Sequence, residues 1–89
     1  PKERLQAQSL YRALVQAQIL IKKGERRSTV ILTQMKKVIK KSSLAKIDYV
    51  RCVNAKTLQP VDHLEGNILI ALAVFIGKTR LIDNVLIQT

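Results

Sequence analysis

The spacing of apolar residues changes period once along this chain, after Ser42-Ser43, and that change limits the possible folds more than any other feature. Ahead of it Leu5, Leu10, Leu14, Ala17 and Ile21 recur at helical spacing between Lys2 and Lys23, with Ala7, Tyr11, Ala13 and Val15 widening the stripe. This predicts a helix of about six turns at 3.6 residues per turn. Lys22 and Lys23 suit the negative end of its dipole, and Gly24 can take the left-handed conformation that ends it. Ser28 is expected to cap a second helix, which carries Ile31, Leu32, Met35, Val38 and Ile39 on one side and Lys36, Lys37, Lys40 and Lys41 largely on the other. The short link between the helices makes them an antiparallel hairpin.

Beyond Ser43 the period is that of strands. Ile47, Tyr49, Arg51 and Val53 alternate with Asp48, Val50, Cys52 and Asn54. Ala55 to Gly66 reads as a loop, with turn chemistry from Pro60, Asp62, His63, Glu65 and Gly66. The stretch from Asn67 to Ile76 is apolar on both faces, which fits a central strand covered on at least part of each side. Leu81, Asp83, Val85 and Ile87 then alternate with Ile82, Asn84 and Leu86, and Gly77 supplies the turn before them. The expected fold class is α+β, a two-helix antiparallel hairpin packed on a small three-stranded antiparallel sheet.

The octet Gly77-Lys78-Thr79-Arg80-Leu81-Ile82-Asp83-Asn84 admits a second reading, because Gly-Lys-Thr also closes a phosphate-binding loop. That loop needs a glycine where this chain has Leu72, and it must open a helix toward the anion. Here β-branched residues follow instead, so the octet is a hairpin.

A chain of 89 residues is one domain or a piece of one, and a domain of this size buries only about 60 to 65% of its unfolded surface. No apolar stretch reaches the ~20 residues needed to cross a bilayer, and Pro1-Lys2-Glu3-Arg4 does not resemble the start of a signal peptide, so a cytoplasmic setting without a membrane is the default expectation. Cys52 is the single cysteine, which leaves no internal disulfide and no thiolate cluster for zinc; it is expected to be a small buried residue.

The net charge of +10 is uneven: Lys22, Lys23, Arg26, Arg27, Lys36, Lys37, Lys40 and Lys41 fall in one segment where Glu25 is the only acid. Such a cluster either attracts nucleic acid through counterion release or is a solvated helix face. The aromatics Tyr11, Tyr49 and Phe75 all fall within apolar patterns, so no base-stacking platform is expected. The alternative of a small basic α+β nucleic-acid-binding domain therefore rests on charge alone.

Candidates for chemistry are few. His63 stands alone in a polar loop, and Asp62 and Glu65 beside it are expected to be solvated. Asp83, between apolar neighbours, must be exposed on an edge or paired, with Arg80 and Arg51 as natural partners. No Ser-His-Asp set, dinucleotide loop or metal-ligand cluster is present in the sequence, so no catalytic, cofactor-binding or metal-binding residue is assigned.

The octet, together with Ile47-Asp48-Tyr49-Val50, Thr57-Leu58-Gln59-Pro60-Val61-Asp62, Leu10-Tyr11-Arg12-Ala13-Leu14 and Lys23-Gly24-Glu25-Arg26, closely resembles the C-terminal domain of the pantothenate synthetase (pantoate-β-alanine ligase) family over essentially the whole chain. The resemblance implies an enzyme that uses ATP with Mg²⁺ to form an enzyme-bound pantoyl adenylate, which β-alanine attacks to give pantothenate, AMP and pyrophosphate. It also implies a Rossmann-like N-terminal catalytic domain, absent from this chain, that holds the nucleotide and both substrates and makes the main contact of a homodimer. Residues 1–89 would then be a single C-terminal lid domain, inactive by itself and carrying no cofactor. The family's two nucleotide-handling signatures, a His-containing loop and a Lys-Met-Ser-Ser-Arg-Asn-like segment, have no counterpart here, and Pro1 begins where the second would end. The family's turn and strand, matched by Gly77, Thr79, Arg80, Asp83 and Asn84, are expected to be scaffold. Steering of anionic ATP and pantoate by the basic helical face is a separate expectation.

Overall fold

The computed structural model describes residues 2–89, with side chains from residue 8 onward, so the expected places of Leu5 and Ala7 in the first helical stripe lie outside the described residues. Five elements follow in order: α1 (Lys2–Lys22), α2 (Ser28–Lys40), β1 (Ala45–Asn54), β2 (Asn67–Ile76) and β3 (Thr79–Gln88). The strands form one antiparallel sheet in the order β1-β2-β3. Both helices lie on the same face of it, α2 against β1 and α1 against β2 and β3. This is the α+β arrangement that the change of period predicts.

Gly24 ends α1 with φ 104°. Its N–H donates to the Ile21 carbonyl and that of Glu25 to the Leu20 carbonyl, both at 3.0 Å, the pair of bonds that defines a Schellman motif. The Arg26 guanidinium Nη1 adds a third donor, 2.7 Å from the same Ile21 oxygen.

Ser28 does not cap α2. The residue before the helix is Arg27 in an extended conformation, and no side chain caps the N-terminus. Ser28 is instead the first helical residue, 5% exposed, and its N–H donates to the Asp62 carbonyl at 2.9 Å. The bond to Asp62 starts the helix one residue earlier than a Ser28 cap requires, so Ser28 is itself helical and Arg27 holds the capping position.

Leu10, Ala13, Leu14, Ala17 and Ile21 of α1 and Ile31, Met35 and Ile39 of α2 form the helical side of the core. Tyr11, expected to widen the α1 stripe, is 68% exposed, because one step along a helix is about 100° around it and leads off a stripe already filled by Leu10 and Leu14. The loop that reads as polar contributes Leu64, which is fully buried with its N–H 2.8 Å from the Arg26 carbonyl. Arg27 and His63 form an antiparallel bridge, so the 62–64 segment is sewn onto the link between the helices.

In β1 the expected alternation is interrupted by a register shift between Ile47 and Tyr49. Asp48 is the extra residue of a bulge. Ala45 and Ile47 pair with Ile76 and Val74, while beyond the bulge Val50 and Cys52 pair with Leu72 and Ile70, so both halves of the strand face the helices. A strict alternation would have grouped Ile47 with Tyr49, Arg51 and Val53 instead. Gly77 alone of the two β2–β3 turn residues has positive φ, 60°, the combination of a type II′ turn.

Leu72 sits in register between Val50 and Asp83 and is fully buried. Leu72→Ala is expected to cost about 2–5 kcal/mol, and Leu72→Asp to abolish the cooperative thermal transition by burying an unpaired charge. An unchanged melting temperature for the Asp variant would mean that β2 is not the central strand.

Candidate functional site

The octet forms the β2–β3 hairpin and the first half of β3, with Thr79 in register with Ile76 and Arg80 with Phe75. Arg80 donates through Nε and Nη2 to Asp48 Oδ2 at 3.1 and 2.9 Å. The ion pair thus spans the face away from the helices, from β3 past Phe75 to the bulge of β1.

Asp83 pairs with neither expected arginine. Arg80 and Asp83 are three residues apart on a strand, so their side chains leave opposite faces of the sheet. Arg51 is held elsewhere, its guanidinium 4.7 Å from the Tyr49 ring centre. Asp83 is exposed, and its Oδ1 accepts the N–H of Asn84 at 2.8 Å. Asp48, the true partner of Arg80, carries no one-dimensional signal, because a bulge is defined only by the strand opposite it.

Glu25, the lone acid of the basic segment, is the most heavily bonded side chain described. Its Oε2 accepts the backbone N–H groups of Arg26 and Arg27, each at 3.0 Å, and Arg27 Nε at 3.2 Å, while Oε1 accepts Arg27 Nη2 at 3.1 Å. The Arg27 side chain above all, with those two amides, holds the Glu25 carboxyl at about 2. Glu25 therefore orders the link between the helices. Lys36, Lys37 and Lys40 remain exposed on α2, on the side away from Ile31, Met35 and Ile39, as does Lys41 directly after it.

Cys52 is buried, as expected, and burial pushes its thiol up to about 11, far from the thiolate needed for nucleophilic chemistry at neutral pH. His63 Nε2 lies 4.0 Å from Glu65 Oε1, with both side chains exposed. Among the described residues no three His, Cys, Asp or Glu side chains gather to hold a metal ion, and no helix is long and apolar enough to cross a membrane. One groove of about 410 Å³ lies between the C-terminal ends of α1 and β3, with Lys22 and Arg26 on its wall. A second of about 460 Å³ lies between Asn54–Thr57 and Glu65–Asn67. Neither brings a nucleophile to a base.

The model of the pantoate-beta-alanine ligase family matches residues 1–86. The pantothenate synthetase of Caldicellulosiruptor saccharolyticus is 49% identical over 86 residues, 97% of this chain and 31% of that protein. The enzyme of Thermosipho melanesiensis is 46% identical over 85 residues, 96% of this chain and 30% of that protein. A crystal structure of pantothenate synthetase from Thermus thermophilus superposes with a TM-score of 0.87 at 26% identity, over 96% of this chain and 30% of that one. The chain thus spans less than a third of the length of these relatives, at their C-terminal end. These similarities leave the nucleic-acid reading unsupported.

Two outcomes are expected from the charged contacts. Glu25 has a carboxyl lowered from 4.5 to about 2, so its contribution to stability is present above pH 4.5 and is lost as the pH falls toward 2. In melting temperatures recorded from pH 6 to pH 2, Glu25→Gln should therefore lie below the wild type at pH 6 and converge with it near pH 2; parallel curves would contradict this. The Arg80–Asp48 pair, with side chains 43% and 39% exposed, should show a coupling of about 0.2–1 kcal/mol in a double-mutant cycle with alanine, smaller in high salt.

Proposed function

Because the chain belongs to the pantoate-beta-alanine ligase family, we propose that it is the C-terminal lid domain of a ligase that condenses pantoate and β-alanine to pantothenate through a pantoyl adenylate. The observation that carries this reading is that nearly the whole chain matches less than a third of each relative, at the C-terminal end. A Rossmann-like domain ahead of it would hold ATP and both substrates and would make the contact of a cytoplasmic homodimer.

Within that frame the chain contributes shape and charge. A pantoyl adenylate is a mixed anhydride that water can hydrolyse, so a domain closing over it protects the intermediate until β-alanine attacks. Gly77, Thr79, Arg80, Asp83 and Asn84 serve as scaffold, through a turn, a strand and the Arg80–Asp48 pair, and do not handle the nucleotide. The exposed lysines of α2 raise the positive potential that draws anionic ATP and pantoate toward the enzyme. The described residues offer no donor set for the Mg²⁺ that accompanies ATP, and no step is assigned to it on this chain.

Given ATP, Mg²⁺, pantoate and β-alanine, the full-length polypeptide should release AMP and pantothenate, and the 89-residue chain should release neither. Turnover by the short chain would overturn the lid reading. An inactive full-length polypeptide would overturn the ligase.

A further inference from the structure

The helices cover one face of the sheet and leave the other open. On the open face Phe75, Ile82 and Leu86 are 38%, 58% and 65% exposed, beside the half-buried Leu69 and Ala71. Of its charges, Arg51 lies over Tyr49 and Arg80 is bound to Asp48, while Lys46, in register with Phe75, is exposed on the β1 edge. Asn84 lies between Ile82 and Leu86 along the same face of β3, in register with Ala71. Its backbone N–H is taken by Asp83, but its side-chain amide has no hydrogen-bond partner among the described residues. An unengaged amide, flanked by the two most exposed aliphatic side chains of the sheet, offers two donors and an acceptor in the middle of an apolar surface.

We propose that the preceding, N-terminal part of the same polypeptide packs on this open face, with Ile82 and Leu86 as its apolar contact and Asn84 as the hydrogen-bonding anchor that sets its orientation. This rests on the reading of the chain as a C-terminal domain. More than two thirds of each relative lies outside the region matched, and it joins this chain ahead of α1. The C-terminal end of α1 shares a groove with the C-terminal end of β3, and α1 packs along that strand. The two elements therefore run in the same direction, and α1 starts toward the Gly77 hairpin, the end of the sheet where Phe75 and the Arg80–Asp48 pair lie. The polypeptide thus enters at the hairpin end of the sheet on the helix-covered side, and passes around that end to reach the open face. The other large candidate surface, the outer side of α2, carries three exposed lysines, with Lys41 following the helix, and an interdomain contact depletes such charges from its centre. An apolar centre formed by Ile82 and Leu86, with the Asn84 amide within it and charges toward the β1 edge and the hairpin end, fits a neighbouring domain that closes and opens.

Hydroxyl-radical footprinting of the full-length polypeptide, with and without ATP and pantoate, tests this. Tyr11 is 68% exposed here, comparable to Ile82 and Leu86, and serves as the internal reference once each rate is normalised to its residue type. Ile82 and Leu86 should be oxidised at least fivefold more slowly than Tyr11 in at least one of the two states. Rates equal to that of Tyr11 in both states would overturn the proposal, as would protection that appears only when the protein concentration is raised, which would assign the face to a second copy. In the same polypeptide, Asn84→Ala should reduce the protection of Ile82 and Leu86 at least twofold without changing the Tyr11 rate. Protection identical to the wild type would remove Asn84 as anchor. Footprinting reads packing and not turnover, so a polypeptide that protects the face but makes no pantothenate keeps this proposal and loses the ligase, and the reverse result does the opposite.

Discussion

Ile68, Ile70, Leu72, Val74 and Ile76, the helix-facing row of β2, are essentially without solvent contact and belong to the same core as both helices. Each such side chain contributes about 1.5–3 kcal/mol by leaving water. β2 also pairs with β1 on one side and β3 on the other along nearly its whole length. α1 lies on β2 and β3 and α2 on β1, and β1 and β3 do not pair with each other, so β2 alone holds those two surfaces together. Loss of this one row would therefore undo the sheet and the helical hairpin together.

The bulge at Asp48 joins packing to charge. It keeps Ile47 and Val50 both turned to the core although they are three residues apart, and it leaves the carboxylate on the opposite side, within reach of Arg80. The resulting pair spans two strand spacings across the open face. Being exposed, it adds little to stability, but it fixes two of the charges on that surface.

A second organising point is the link between the helices. Glu25 gathers the amides of Arg26 and Arg27, Arg26 caps the Ile21 carbonyl at the end of α1, and the loop before β2 bonds to the same link through Asp62, His63 and Leu64. The basic charges of this segment are thus of two kinds: Arg26 and Arg27 build the connection, while the lysines of α2 face solvent. A count of charge along the chain merges the two.

The elements, their order and their pairing partners are legible in the residues alone. Helical spacing to Lys41, alternation after Ser43 and Gly77 between two β-rich stretches each depend on contacts a few residues apart, which periodicity records. The family is legible there as well, since the octet and its companions are matched by residue identity. The bulge at Asp48, the partner of Arg80, the burial of Leu64 and the displacement of Ser28 from a capping role emerge only in three dimensions. Each of these depends on which strand or loop lies opposite, a relation between residues far apart in the chain that no local spacing encodes. The open face of the sheet has the same origin: apolar residues on both sides of β2 were legible, but which side the helices cover shows only in their contacts with the strands.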